Sequence, residues 1–116
     1  MKELKLHKSC SDVRLLKYGF TKRHGNYYKL NLPLYRYENS PVIILSVITS
    51  LKDDYIGYDV IDCNSDTLYA AFYDDQEYHK NNKVLQNVNK KLDSIFNEMK
   101  TRKIIKGDKW YERNQY

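Results

Sequence analysis

KVLQNVNKKLDSIFNEMK, residues 83–100, changes the period of the chain and so decides its fold. Val84, Leu85, Val88, Leu92, Ile95, Phe96 and Met99 recur at three- and four-residue steps. Asn87, Lys90, Lys91, Asp93, Asn97 and Lys100 fall opposite them. At 3.6 residues per turn this is an amphipathic helix with one face to bury. The pattern predicts a helix from Lys83 to about Arg102 or Lys103, with Gly107 closing the region. A stripe this apolar is a packing surface, and it needs a second layer to lie on.

That layer is upstream. Tyr28, Leu30, Leu32 and Leu34 alternate with Lys29, Asn31 and Pro33, the period-two pattern of a strand with one buried face. Pro33 cannot donate to a ladder, so the strand is expected to be an edge or to bulge there. Val42 to Leu51 is β-branched and apolar on both faces, as a central strand is. Tyr55 to Cys63 sets Ile56, Tyr58 and Val60 against Gly57, Asp59 and Ile61, and Thr67 to Tyr73 reads as a last short strand. Glu38-Asn39-Ser40-Pro41, Lys52-Asp53-Asp54 and Asn64-Ser65-Asp66 are turn signals between them.

Ahead of the strands, Ser11 or Ser9 can cap a short helix over Asp12 to Tyr18, and Gly19 suits its stop. Val13, Leu16 and Phe20 are expected on its buried face, with Leu15 beside them. Residues 1–8 read as a frayed arm or a short first-strand extension, and residues 22–26 as a polar turn at Gly25-Asn26. The fold class expected is therefore α+β: a short N-terminal helix, a four-stranded antiparallel meander, and a long C-terminal helix packed on one face. Residues 1–106 form one domain, and residues 107–116 a basic aromatic C-terminal tail.

A chain of 116 residues suits one domain and one core without metals or disulfides. There is no apolar run long enough to span a bilayer and no secretory h-region, so a cytoplasmic location in a bacterial host is expected. Cys10 and Cys63 have no CxxC or Cys/His companion and read as reduced, partly buried thiols. Twelve tyrosines against three phenylalanines and one tryptophan fit half-buried strands and contact surfaces, and also an AT-rich coding genome.

Charge comes in blocks. Met1 to Asn39 holds nine Lys/Arg against three acids, Ser40 to His79 one against eight, and Lys80 to Tyr116 ten against four. Much of this follows from Asp in turns and Lys on a solvated helix face. The acidic block offers Asp53, Asp54, Asp59, Asp66, Asp74 and Asp75 as a surface that docks on a basic groove. The basic blocks offer Lys22 and Arg23, beside Tyr27-Tyr28, and Lys103, Lys106, Lys109 and Arg113 around Trp110 and Tyr111. Cations that neutralise phosphates beside rings that stack on bases are what single-strand binders use. His7, His24 and His79 show no ligand spacing, the glycines form no phosphate-cradling loop, and the acids show no calcium-loop spacing. No catalytic residue, metal site or cofactor is expected.

Arg14-Leu15-Leu16-Lys17-Tyr18-Gly19-Phe20, the strands after it, Val60-Ile61-Asp62, Leu68-Tyr69 and the stripe Val84, Val88, Leu92 and Ile95 together resemble a small domain of Gram-positive bacteria and their phages. That domain occurs alone or beside YjbR-like domains. The resemblance covers roughly residues 13–100, rests on hydrophobic landmarks and implies no activity and no catalytic residues. The chain departs from it in the Asp74 to Lys83 stretch, which replaces a short Gly-containing lead-in, and in the appended tail. Small size and a Lys/Asn/Tyr/Ile-rich make-up also resemble phage accessory proteins, including anti-CRISPR inhibitors of Cas nucleases. The expectation is a non-enzymatic phage or mobile-element protein that binds and modulates a host or defence macromolecule, such as a Cas nuclease. The alternative is a nucleic-acid-binding module that uses the basic and aromatic ends.

Overall fold

The computed structural model of the chain describes residues 4–106. The tail residues Lys109, Trp110, Tyr111 and Arg113 lie outside the described residues. In chain order the elements are β1 (Lys5–Leu6), α1 (Asp12–Tyr18), β2 (Thr21–Arg23), β3 (Tyr27–Tyr37), β4 (Ser40–Ser50), β5 (Tyr55–Asp62), β6 (Thr67–Leu68), α2 (Ala70–Tyr73), α3 (Lys83–Thr101) and β7 (Ile105–Lys106). The fold is α+β, an antiparallel sheet with a short N-terminal helix and a long C-terminal helix.

The sheet runs β2-β3-β4-β5-β6 with every neighbour antiparallel, and β4, apolar on both faces, is its middle strand. It has five strands where the sequence predicted four. The added strand, β2, pairs Thr21–Arg23 with Lys29–Tyr27. All three of its residues are exposed, so it carries no alternation that a hydrophobic pattern would reveal. The last strand is also shorter than expected. Thr67 and Leu68 pair with β5, and the chain then turns into α2, which buries Phe72. β3 and β4 are joined through Glu38 and Asn39, both at positive φ (50° and 70°), the two-residue turn whose twist matches a hairpin. The register shifts between Pro33 and Tyr35, the bulge that Pro33 predicted.

One core joins sheet and helices. Leu45, Val47 and Val60 on the sheet and Val88, Leu92 and Met99 on α3 are fully buried. The Tyr58 ring meets Phe96 at 5.1 Å and Phe72 at 6.4 Å, both edge-on. α3 starts where Asn82 accepts the Leu85 N–H, satisfying a first-turn donor that the helix itself cannot.

α1 has the predicted bounds. The Ser11 hydroxyl accepts the Arg14 N–H, and Gly19, at φ 123°, donates its N–H to the carbonyls of Leu15 and Leu16. The buried face differs from the expected one. Leu15 is fully buried, whereas Val13 is 65% and Leu16 45% exposed. The Tyr28 hydroxyl donates to the Asp12 carboxylate, and this bond fixes the rotation of a two-turn helix that the sequence periodicity leaves open.

Nor are residues 4–8 a frayed arm or an extension of the first strand of the meander; residues 1–3 lie outside the described residues. Lys5 and Leu6 pair with Lys106 and Ile105 to make a two-stranded ribbon, and the His7 N–H donates to the Ile104 carbonyl at 2.9 Å. Leu4, Leu6, Ile104 and Ile105 are all buried in the common core.

Candidate functional site

Strand alternation sorts the sheet into two faces. Tyr28, Leu30 and Leu32 lie level with Thr49, Val47 and Leu45, and with Ile56, Tyr58 and Val60. The three α-helices pack on this face: α1 through Asp12 to Tyr28, α2 through Phe72 to Tyr58, and α3 through Phe96 to Tyr58.

The other face carries the intervening residues in rows. Arg23, Tyr27, Ser50 and Tyr55 form one row, and Thr21, Lys29, Ile48 and Gly57 the next. Asn31, Ser46 and Asp59 follow, then Pro33, Ile44, Ile61 and Leu68. Four large side chains on it stand open to solvent: Tyr27 (41% exposed), Ile48 (39%) and Tyr55 (52%), and, two rows beyond Ile48, Leu68 (49%). Between them Ser46 and Ser50 are buried, because small side chains on the middle strand sit below larger neighbours.

Gly57 shapes this face. A Cβ at residue 57 would collide with the Tyr55 hydroxyl and lie 2.9 Å from its Cζ. The missing side chain therefore lets the Tyr55 ring lie down along the strand, over the Gly57 backbone and beside Ile48, the cross-strand partner of Gly57. The requirement is for space, not for an unusual backbone angle.

Of the sequence-predicted basic residues, Arg23 belongs to the open face, whereas Lys22 turns to the other. The Lys22 ammonium lies 5.8 Å from the Tyr28 ring centre and 4.0 Å from the Asp12 carboxylate. Lys103 and Lys106 follow α3, with Lys106 on β7, and belong to a different set of elements from β2. Arg23 and Lys29 make no ion pair with a described residue.

The acidic residues are dispersed over separate turns. Asp53 bonds Ser50 in the β4–β5 turn, where Asp54 also sits, at positive φ. Asp59 lies on the open face, and Asp66, also at positive φ, in the β5–β6 turn. Asp74 follows α2; its pKa is lowered by the Asp75 N–H and by His79, whose Nε2 is 3.1 Å away. Asp75 accepts the Glu77 N–H. Local turn bonding engages Asp53, Asp74 and Asp75, and no one element gathers the set.

A shallow concavity of about 390 Å³ lies between α3 and β3, lined by Leu32, Ile95, Tyr18, Lys91 and Glu98 among others. The Tyr18 phenol is pushed up to about 12, first by burial and then by the Glu98 carboxylate, while the Arg102 guanidinium opposes the shift. The folded chain thus holds this proton where the unfolded chain has released it. The stability involved is complete below pH ~10 and is lost as pH rises through about 12. The urea midpoint of the wild type should fall more steeply across that window than the midpoint of Tyr18→Phe. Parallel curves would refute the coupling.

Among the described residues no three His, Cys, Asp or Glu side chains gather as a metal site, and no helix is long and apolar enough to cross a membrane. Cys10 is half-buried, and burial raises its pKa; Cys63 is exposed, where partial burial was expected. The His7 Nδ1 atom faces Ser9, accepting its N–H at 3.0 Å, and does not serve Cys10 as a base there.

Tyr27, Lys29, Ile48 and Tyr55 are the residues that sequence reasoning passed over as a site. The signal was present: once Tyr28, Leu30 and Leu32 are set inward, their strand neighbours must face outward.

No family model matches this chain, and no curated protein matches it. Among solved structures, a DUF1831 family protein from Lactobacillus plantarum is similar, with a TM-score of 0.72 and 15% identity over 90% of this chain and 86% of that one. At that identity the likeness is one of fold.

Proposed function

We propose that this chain is a non-enzymatic accessory protein that acts by stoichiometric binding, with the open face of the sheet as its working surface. One observation carries the reading: Tyr27, Ile48 and Tyr55 are exposed side by side on the face opposite the one that α1, α2 and α3 cover. Large side chains grouped on a rigid sheet, with buried serines between them, form a surface that a partner can cover without reorganising it. The target, in the form the sequence supports, is a host or defence macromolecule in a bacterial cytosol; inhibition of a Cas nuclease is the most specific version. The acidic residues Asp53, Asp54, Asp66, Asp74 and Asp75 sit on separate turns, so the proposal rests on the sheet rather than on them.

Capture from a Gram-positive lysate tests it, with immobilised wild type compared with a Tyr27→Asp/Tyr55→Asp variant of unchanged melting temperature. One dominant species should be retained by the wild type and lost by the variant. Equal retention by both would place binding elsewhere, and nothing above background would remove the binding role.

A further inference from the structure

We infer that the open face is a stacking platform for single-stranded nucleic acid. This rests on the reading of that face as the working surface and names its ligand class.

The first argument is geometric. Tyr27 and Tyr55 stand in one row on β3 and β5, separated by Ser50 on β4, which puts their Cα atoms about 10 Å apart at the usual strand spacing. The Tyr55 ring leans along the strand with its hydroxyl end over Gly57, because residue 57 has no side chain, and the residue is 52% exposed. An unstacked base needs a π-face, and stacking on one tolerates any sequence because every base has one. Ile48 extends the floor beside the ring.

The second argument is electrostatic. Arg23 lies directly opposite Tyr27 on β2, and Lys29 lies two residues along β3 on the same face. Neither makes an ion pair with a described residue. The row Arg23, Tyr27, Ser50, Tyr55 thus sets a guanidinium at one end of two rings, and Lys29 adds an ammonium beside them. Of the anions, Asp53 is held by the Ser50 hydroxyl at 3.2 Å, at the β4–β5 end of the tyrosine row, and Asp59 lies one row further from the tyrosines than Lys29, so the cations stand on the β2–β3 side of the face. Cations flanking exposed rings match a polyanion whose bases are free to stack. The face also explains Lys22, which is held at Asp12 and Tyr28 and is not available to a strand on the other side.

The probe is a short labelled oligothymidylate and its RNA counterpart, titrated by fluorescence anisotropy against the full chain at roughly 50 and 200 mM salt. The wild type should bind at low salt and weaken steeply at the higher salt. Tyr27→Ala and Tyr55→Ala should each weaken binding about 5- to 150-fold, the usual loss per stacked base. Tyr55→Phe keeps the ring and should bind like the wild type. Gly57→Val keeps the tyrosine but lifts its ring, and should lose as much as Tyr55→Ala. Arg23→Ala and Lys29→Ala should each lower the logarithmic salt slope by about 0.7.

Absence of binding at low salt overturns the assignment, and so does equal affinity in the tyrosine variants. If the oligonucleotides never bind, yet the Tyr27→Asp/Tyr55→Asp variant loses a nuclease-resistant protein from the lysate, the ligand class is wrong and the face is right. If neither is lost, both readings fall.

Discussion

Phe96→Ala is expected to lower the unfolding free energy by about 3–5 kcal/mol. Phe96 is 1% exposed and meets the Tyr58 ring edge-on at 5.1 Å, so it is a main link between α3 and β5. Truncation removes the transfer energy of the ring and leaves a void that a helix pinned at both ends cannot close. Against a total stability of ~5–15 kcal/mol for an ordinary domain, this is a large fraction. For a chain of this length the melting temperature should drop by roughly 10–20 °C. A drop of less than about 1 kcal/mol in urea unfolding would mean that α3 does not pack on β5 through this ring.

Ile104→Ala should cost about 2–5 kcal/mol, although the residue stands past the end of α3 in a stretch of basic residues. It is fully buried, its N–H donates to the Met99 carbonyl, and its own carbonyl accepts the His7 N–H. Lys103→Ala and Lys106→Ala, on exposed neighbours, should stay within about 0.5 kcal/mol. The contrast separates two descriptions of residues 103–106. In a solvated tail, all three substitutions would be equally mild. In a strand that seals the core, only the isoleucine matters.

How far the sequence could be read depended on the length of each signal. α3 was legible because nineteen residues repeat one face, β3 and β5 because their alternation runs for eight residues or more, and β4 because its long β-branched run is apolar on both faces. The short elements failed for separate reasons. β2 is three exposed residues with no inward side chain. Ala70-Ala71-Phe72-Tyr73 fits a strand or a helical turn equally well, and Phe72 finds its pocket only as a turn. α1 had the right bounds but the wrong rotation, because its phase is set by a bond from Tyr28, a residue on another element. The candidate site was half legible. The facing of Tyr27 and Tyr55 follows from the pattern, but the lean of the Tyr55 ring along the strand depends on the space left by Gly57, two positions along β5.

The ribbon of β1 and β7 bears on how the chain comes into being. Lys5 faces Lys106, so the pairing closes a loop of roughly a hundred residues and is entropically the most expensive contact to form early. The hairpins of the sheet are local and can form first. On a ribosome adding ~5–20 residues per second, Leu4 and Leu6 are made roughly 5–20 s before Ile104 and Ile105 exist to cover them. The residues of β1 are thus made about a hundred residues ahead of the strand that secures them. A chain interrupted after Arg102 would present its complete sheet and long helix with the N-terminal leucines still uncovered, a substrate for chaperones rather than a finished protein.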